Sequence, residues 1–363
     1  MSELSSRRRD SADGVLADDS AALCEQVGEA SAKGTPLAIV GGNSKAFYGR
    51  PVTGEALDVR GHRGIVHYDP VELIVTVRCG TPLSELEATL AQNGQQLAFE
   101  PPRFAPGATV GGMVACGLSG PRRPWAGAVR DHVLGTRLIT GEGRQLRLGG
   151  EVMKNVAGYD VSRLVTGALG SLGVITEVSL KVLPQPPQGM TLRLELDAER
   201  AARNLAEWGR QPLPLSGACH DGEALHVRLE GGEGSIRRAR EQLGGEQVSA
   251  AFWEALREQQ LPFFNDPRPL WRCSLPATAP GLALAGDWLI DWAGAQRWLK
   301  SDAEPAHIRA TVSEAGGHAT CFTPNAASPF TPLPRALLHY HRRLKAELDP
   351  AGIFNPGRWY AEL

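Results

Sequence analysis

Short apolar runs separated by glycine-rich segments dominate the first half of the chain. Residues 37–40 are apolar and lead directly into Gly41 and Gly42, which predicts a buried strand followed by a glycine loop. Residues 173–182 alternate apolar and polar side chains over part of their length and predict another strand. Three further strands are predicted in the same half at residues 56–59, 64–68 and 72–78. A helix is predicted at residues 81–90, and residues 129–140 and 144–148 predict a hairpin.

The second half alternates predicted strands with predicted helices. The strands are residues 190–196, 225–229, 271–275, 288–292 and 318–322. The helices are residues 198–208, 235–243, 251–260, 305–315 and 334–348. Residues 184–189, PQPPQG, predict a linker between the two halves. Antiparallel strands backed by helices predict an α+β domain after this linker.

One stretch of the first half carries almost no bulky side chains. Residues 101–135, PPRFAPGATVGGMVACGLSGPRRPWAGAVRDHVLG, are rich in glycine, proline and small residues. Glycine lets a ligand approach the backbone closely, and successive amides in a turn form a donor nest for an anion. Similar glycine clusters lie on either side, at residues 39–49 and 166–178. Any one cluster is equally typical of a surface loop, but the three together predict a site for a phosphate-bearing ligand.

Composition narrows the class of protein. The 363 residues are enough for two domains, and 38 basic against 40 acidic residues give a net charge of −2, which does not favour nucleic acid or anionic membranes. The six cysteines are far apart, which predicts reduced thiols in a cytoplasmic protein and no closely spaced metal or cluster site. The N-terminus has no apolar run behind its basic residues, and no segment approaches the ~18 apolar residues of a membrane span.

The glycine spacing argues against two common nucleotide-binding motifs. Neither GxGxxG nor GxxxxGK[ST] occurs in the chain, so a Rossmann fold and an NTPase loop are not predicted. Residues 109–117 predict a short helix whose N-terminus faces the PGA turn and offers a second contact to an anion. Two glycine loops on separate elements suit a long dinucleotide laid across a domain.

A resemblance to a known family rests on motifs at both ends of the chain: GGNS, PGATVGG, KNVAGYD, GALGSLGVITEVSLKVLP and DPAGIFNPGR. Together they resemble the FAD-linked oxidases of the vanillyl-alcohol oxidase type. Within that family, GLSGPRRPWAGAVRDHVLG and VMKNVAGYDVSRL are similar to the FAD-binding subunit of bacterial glycolate oxidase complexes. The resemblance is dense over residues 36–184 and returns at residues 346–358.

The resemblance implies an α+β architecture with a two-part FAD-binding domain and a smaller α+β cap domain, the C-terminus returning to the FAD-binding domain. The expected boundaries are a disordered N-terminus at residues 1–17, the FAD-binding domain at 18–186, the cap at 187–333 and the returning segment at 334–363.

The resemblance also implies which residues hold FAD. They lie in three glycine loops and near the C-terminus: Gly41, Gly42, Asn43, Ser44, Pro106, Gly107, Ala108, Thr109, Gly111, Gly112, Gly117, Gly173, Val174, Ile175 and Asn355. Relatives that bind flavin covalently place a histidine or cysteine in or near these loops. This chain has Asn43 and Ser44 in the first loop, so non-covalent binding is expected, although Cys116 leaves the question open.

The catalytic base is not identified by the sequence, and no metal site is predicted. Relatives that oxidise 2-hydroxy acids carry a His-rich GDGNxH-type motif in the cap, and this motif is absent here. The same relatives commonly read GSEGTLG where this chain reads GALGSLG, so Ala168 and Leu169 remove polar groups near the cofactor.

Other side chains are weaker candidates. Tyr159 and Asp160 are candidate acid–base groups, although Asp160 is equally typical of a helix N-cap. Four arginines are candidate partners of a carboxylate or a pyrophosphate, although each is also typical of a solvated ion pair: Arg122, Arg123, Arg130 and Arg358. The tryptophans of residues 253–298 predict cap core or a protein interface.

Three interpretations of function remain open at this point. In the first, the chain is the FAD-binding subunit of a complex that oxidises glycolate and passes electrons to a second FAD-linked oxidase subunit and an iron–sulfur subunit. In the second, it is a self-sufficient FAD enzyme acting on a small 2-hydroxy acid or another alcohol. In the third, the fold has lost flavin and serves as an assembly scaffold. Flavin absorption separates the third from the others, and glycolate-dependent dye reduction separates the first two.

Overall fold

The computed structural model describes residues 16–150 and 160–363, and its mixture of helices and strands confirms the α+β class. The chain begins with a small lobe of α1 (Ser20–Lys33), β1 (Leu37–Val40) and β2 (Glu55–Asp58), in which β1 and β2 are parallel. Helix α1 buries the residues that recur at helical spacing, Leu23 and Val27, against these strands.

A larger lobe is built on an antiparallel sheet. Its strands are β3 (Ile65–Asp69), β4 (Ile74–Arg78), β6 (Val133–Ile139), β7 (Gln145–Gly149) and β8 (Val174–Lys181). Their order in the sheet is β3-β4-β8-β6-β7, so the predicted hairpin of β6 and β7 is confirmed. A separate short pair joins β5 (Gln95–Gln96) to β9 (Leu183–Pro184).

Helices cover this lobe: α2 (Leu83–Gln92), α3 (Val110–Cys116), α4 (Arg123–Ala126), α5 (Val129–His132) and α6 (Val161–Leu164). Apolar side chains of α2 and α3 share one buried core with β4 and β8. The prediction that residues 129–132 belong to a strand is wrong. They form α5 because the Asp131 carboxylate accepts a hydrogen bond from the Ala128 amide (2.8 Å), which caps the first turn.

The cap consists of one antiparallel sheet with helices packed on it. Its strands are β10 (Gln188–Leu194), β11 (Leu215–His220), β12 (Leu225–Gly231), β13 (Glu246–Val248), β14 (Leu270–Ser274), β15 (Asp287–Asp291), β16 (Gln296–Lys300) and β17 (His318–Cys321). Their order is β13-β10-β12-β11-β15-β16-β14-β17. The helices are α7 (Ala198–Trp208), α8 (Glu233–Leu243), α9 (Ala251–Arg257) and α10 (Pro305–Glu314).

Three cap strands, β11, β13 and β16, were not predicted, and the structure explains the failure for β11 and β16. β11 contains a glycine and a register shift between Leu215 and Gly217, which interrupts its alternation. β16 carries Gln296, Arg297 and Lys300, which look like surface residues but are all buried with polar partners. The sequence pattern therefore hides strands whose buried side chains are polar.

The cap is attached to the N-terminal region through a mixed interface. Apolar side chains of the N-terminal region, including Tyr48 and Leu118, share one core with Trp298 and Phe322 of the cap. The expected boundary after residue 186 falls between β9 and β10, and the domain limits as such stay a prediction. The expected N-terminal segment lies almost wholly outside the described residues.

Buried charges also cross this interface. The Glu100 carboxylate accepts two hydrogen bonds from the Arg228 guanidinium, at 2.8 and 3.0 Å, and one from the backbone amide of Arg122 at 2.9 Å. The Arg122 guanidinium also donates to Glu230 of the cap (2.7 Å). Burial raises the pKa of Glu100, but Arg228 and Arg122 outweigh it and hold this pKa below its usual value.

The tryptophans of the cap are mostly core residues. Trp253, Trp271, Trp292 and Trp298 are all buried. The prediction of an interface with another protein is therefore wrong for these four. Trp271 packs inside the cap, Trp253 and Trp298 pack in the core that the cap shares with the N-terminal region, and the Trp292 indole donates to the Gly120 carbonyl (2.9 Å).

The last helix, α11 (Arg335–Leu348), leads the chain back to the N-terminal region as predicted. Leu37 pairs with Phe354 in a parallel bridge, which extends the β1–β2 sheet with the C-terminal segment. The buried Lys345 ammonium donates to the Ser171 carbonyl (2.9 Å) and to the Asp349 carboxylate (2.9 Å). The C-terminal segment is therefore tied to the glycine-rich part of the fold.

Candidate functional site

Two glycine loops meet backbone to backbone at the centre of the N-terminal region. The first loop, residues 41–44, follows β1, and the second loop, residues 106–112, runs into α3. A Cβ atom placed on Gly42 would lie 1.5 Å from the Gly107 carbonyl oxygen, and one on Gly41 would lie 2.6 Å from the Thr109 hydroxyl. Only glycine permits this approach, so the two loops act as one surface.

The start of α3 is fixed by its own cap. Thr109 is the N-cap residue, and its hydroxyl accepts a hydrogen bond from the Gly112 amide (3.2 Å). This confirms the predicted helix and places its N-terminal turn beside the first loop.

The loops line one open cavity, whose empty volume is about 770 Å³ with the space at its mouth included. We call it the first cavity. Ten of the fifteen residues expected to hold FAD line it: Gly41, Gly42, Asn43, Ser44, Thr109, Gly111, Gly112, Gly173, Ile175 and Asn355. Residues from distant parts of the sequence are therefore gathered around a single space, as a dinucleotide site requires.

The five other expected residues lie behind or beside this wall. Ala108 and Val174 are buried in the core, and Pro106 and Gly107 are exposed on the outer side of the second loop. Gly117 has a positive φ of 63° and ends α3 against Gly167, with a Cβ site 3.1 Å from the Gly167 Cα. These residues shape the backbone of the wall and do not line the cavity.

Two cations on the wall complete the site. Lys45 follows the first loop directly and is only 6% exposed, and Arg358 belongs to the predicted NPGR segment. The Arg358 guanidinium donates to the carbonyl oxygens of Lys45 (3.2 Å) and Tyr48 (3.1 Å). Burial lowers the pKa of both groups, and neither forms a salt bridge with a carboxylate in the described part of the chain. A buried and a half-buried cation on one wall favour an anionic ligand, and the pyrophosphate of FAD is one.

Lys45 was missed by the sequence analysis. Its position immediately after GGNS could have indicated its role, because a lysine that follows a phosphate-binding glycine loop is well placed to contact the phosphate.

Asn355 holds the wall together. Its side-chain oxygen accepts from the Ile39 amide (2.9 Å), and its side-chain nitrogen donates to the Leu169 carbonyl (2.8 Å). A Cβ atom on Gly170 would lie 2.7 Å from the same nitrogen. Because both polar ends are occupied by backbone groups, Asn355 fixes the position of three cavity-lining segments.

The remaining candidates do not converge on the first cavity. Arg122 belongs to the buried ion-pair network, Arg123 stacks on the Trp292 ring with 4.4 Å from guanidinium carbon to ring centre, and Arg130 is exposed. Asp160 caps α6 by accepting from the Arg163 amide (3.2 Å), the structural alternative for this residue. Tyr159 lies outside the described residues.

Residues 16–150 and 160–363 contain neither a metal-binding cluster of side chains nor a membrane-spanning helix. Within them, no group of three or more histidine, cysteine, aspartate or glutamate side chains is arranged to hold a metal ion. None of the helices in these ranges combines the length and apolar character needed to cross a membrane.

Comparison with known proteins agrees with this site. Residues 14–149 match the family described as FAD binding domain. The chain is 60% identical to the glycolate oxidase subunit GlcE of Escherichia coli over 346 residues, which cover 95% of this chain and 99% of that protein. It is also 34% identical to the glycolate oxidase subunit GlcD of Bacillus subtilis, over 35% of this chain and 27% of that protein.

A solved structure shares the fold. An alkyldihydroxyacetonephosphate synthase superposes with a TM-score of 0.66, covering 92% of this chain and 75% of that chain at 16% identity. This likeness concerns the fold alone. The resemblance inferred from the sequence motifs is confirmed, and the chain belongs to the family of FAD-dependent oxidoreductase subunits that includes Escherichia coli GlcE.

Proposed function

We propose that this chain is the FAD-binding subunit of a complex that oxidises glycolate to glyoxylate and passes the electrons to partner subunits. The observation that carries the proposal is 60% identity over nearly the whole length of a glycolate oxidase subunit, GlcE. The first cavity supports it, because glycine loops and the two cations Lys45 and Arg358 provide what a dinucleotide needs.

The residues have separate roles toward FAD. The backbone of residues 41–44 and 109–112 approaches the dinucleotide, because these positions carry small side chains or none facing the cavity. Lys45 and Arg358 balance the charge of its phosphates. Bound FAD supplies the chemistry of accepting a hydride from an alcohol carbon and releasing electrons to an acceptor.

We further propose that FAD is held without a covalent bond. Cys116 is the thiol on the cavity wall, and burial raises its pKa, with Lys45 and Arg358 opposing this rise. A buried protonated thiol is a poor nucleophile. After acid precipitation of the purified protein, the yellow colour should appear in the supernatant, and colour retained in the pellet would contradict this proposal.

Electron transfer away from the chain requires partners. In the described residues the cysteines are free and no cluster-holding group of side chains occurs. We propose a second FAD-linked oxidase subunit and an iron–sulfur subunit as partners, in a cytoplasmic complex. GlcD of Bacillus subtilis, a similar protein, is itself named as a glycolate oxidase subunit.

The test compares this chain alone with the chain co-expressed with both partners. We expect flavin absorption in the purified chain, co-purification of the partners, and glycolate-dependent dye reduction that is much faster in the assembly. A purified chain without flavin would contradict the FAD proposal. A monodisperse preparation of the chain alone that matches the rate of the assembly would contradict the partnership.

A further inference from the structure

A second cavity lies between the N-terminal region and the cap. It is lined by residues 118–121 on one side and by residues of α9, β14, β15 and β16 on the other. Its empty volume is about 360 Å³ with its mouth included, less than half of that of the first cavity. Its lining of polar, charged and aromatic side chains is typical of a site for a small molecule.

The two cavities are neighbours along the chain. Cys116 lines the first cavity and Leu118 lines the second, with only Gly117 between them. The Lys45 ammonium on the first wall also lies 5.7 Å from the centre of the Phe104 ring, which lines the second cavity. A ligand in the second cavity would therefore lie next to the part of the first cavity that is lined by the C-terminal end of α3.

One cation in the second cavity has no acidic partner. Arg272 of β14 stands opposite Trp298 of β16, and its guanidinium carbon lies 5.0 Å from the centre of the Phe322 ring and 5.9 Å from that of Tyr48. In the described residues no carboxylate forms a salt bridge with it. Arg257, which lines the same cavity, is already paired with Glu254 and Glu258.

A second positive charge, that of Arg123, lies near Arg272. Burial lowers the pKa of Arg123, and the positive charge of Arg272 lowers it further. Arg123 does not line the second cavity and is partly balanced by Asp131, but its charge adds positive potential near Arg272. Arginine also recognises a carboxylate with two parallel hydrogen bonds, which lysine does not provide.

Hydroxyl-binding groups are present on the same wall. The Asp291 carboxylate is buried and accepts hydrogen bonds from the Trp292 amide (2.7 Å) and from the Gln296 side-chain amide (3.1 Å). Asp291 and Gln296 both line the second cavity. The cavity thus combines a carboxylate-binding cation with acceptors for a neighbouring hydroxyl group, the two functional groups of a 2-hydroxy acid.

We infer that the second cavity binds the carboxylate of a small 2-hydroxy acid and that Arg272 is the cation that recognises it. This inference rests on the proposed function, since it assigns a substrate-binding site to this chain itself. It does not follow from the His-rich motif of related oxidases, which the chain lacks.

The test uses the FAD-loaded chain and oxalate, a dicarboxylate that cannot be oxidised as an alcohol. Calorimetric titration should show binding to the wild type at millimolar oxalate and binding about 10- to 100-fold weaker for Arg272→Gln, as for loss of a charged hydrogen-bond pair. Arg309→Gln is the matched control. Arg309 stacks on Trp271, the strand neighbour that points to the opposite face of the sheet, so oxalate affinity should stay unchanged.

The outcomes separate the two proposals. Equal oxalate affinity in wild type and Arg272→Gln, or no binding to the wild type, overturns the inference while leaving FAD binding intact. A chain that carries no flavin but binds oxalate through Arg272 overturns the proposed function and supports the inference. If Arg272→Gln does not fold, Arg272→Lys decides, because it keeps the charge and loses the paired geometry. We expect severalfold weaker binding for it, and unchanged affinity would overturn the inference.

Discussion

The two cavities are built in opposite ways. The wall of the first cavity is made largely of backbone, because glycines at its centre let two loops touch with no side chain between them. The second cavity is lined by side chains of the cap sheet, among them a buried carboxyl group and a cation that has no acidic partner within residues 16–150 and 160–363. The first cavity tolerates few substitutions, because its shape depends on close contact between two backbones. The second cavity can change its ligand preference when a single lining side chain is substituted.

The largest expected effect concerns the buried ion pair that joins the N-terminal region to the cap, the two parts that enclose the second cavity. Arg228→Met removes the partner of Glu100 and leaves a buried carboxylate without its bidentate ion pair. We expect a loss of about 3–5 kcal/mol in the free energy of unfolding, measured by urea denaturation. Arg203→Met is the control, because Arg203 pairs with Glu199 on the exposed surface and should change stability by less than about 1 kcal/mol. Equal effects of the two variants would contradict an ion-pair contribution at the interface.

The next prediction concerns the first cavity. Gly42→Ala places a Cβ atom 1.5 Å from the Gly107 carbonyl, so the two loops must separate. We expect a loss of about 1–3 kcal/mol in unfolding free energy together with loss of bound FAD. Gly28→Ala in α1 meets no atom within 4 Å and should stabilise the protein by about 0.5–1 kcal/mol with full flavin content. Normal flavin content in Gly42→Ala would show that loop contact is not required for binding.

The difference between the cavities also explains what the sequence could predict. Glycine clusters after a strand and before a helix are visible without a structure, and nine of the residues in them line the first cavity, while their contact with FAD stays a prediction. The helix at residues 109–117 was predicted from the sequence, and the return of Asn355 to the FAD-binding domain from the resemblance, whereas the N-cap role of Thr109 was not predicted. Lys45 was missed although it lies beside the first loop, because a single lysine is usually a surface residue.

The second cavity could not be predicted from sequence, for a physical reason. Arg272 and Asp291 lie on separate strands, and they meet at one cavity only because β16 lies between β14 and β15 in the sheet. The strand β16 was itself not predicted, since its buried polar residues resemble a surface segment. Strand order and register, which local pattern does not contain, therefore decide this site.

A third prediction separates packing from ligand contact within the first cavity. Gly111 and Gly112 both line the cavity, but a Cβ atom on Gly111 would lie 2.8 Å from the Cys79 Cβ. Gly111→Val would therefore clash with the core as well as alter the cavity wall. A Cβ atom on Gly112 meets only the Thr109 hydroxyl, at 3.2 Å.

Gly112→Val is consequently the sharper variant. We expect FAD binding about 10- to 100-fold weaker, or about 1.4–2.8 kcal/mol, with the unfolding midpoint of the FAD-free protein nearly unchanged. Gly111→Val should lower that midpoint as well. The measurements are flavin fluorescence titration of the FAD-free proteins and their thermal unfolding. Wild-type FAD affinity in Gly112→Val would remove Gly112 from the site.

The smallest expected effect concerns the pH dependence of the second cavity. Burial, together with the negative charge of Glu100, raises the pKa of Asp291 to about 7, although hydrogen bonds from Trp292 and Gln296 and the charge of Arg228 oppose this rise. Because the folded pKa lies above the unfolded value, the contribution of Asp291 to stability is full below the unfolded pKa. It is lost progressively as pH rises to about 7.

Asp291→Asn removes this titration, while its Oδ1 can still accept from the Trp292 amide. Between pH 6 and pH 8 the wild type should lose about 1 kcal/mol of unfolding free energy relative to Asp291→Asn. Glu100 does not interfere, since its lowered pKa moves its titration below this window. Parallel pH profiles of the two proteins in urea denaturation would show that Asp291 does not titrate between pH 6 and pH 8 in the folded protein, and would contradict this prediction.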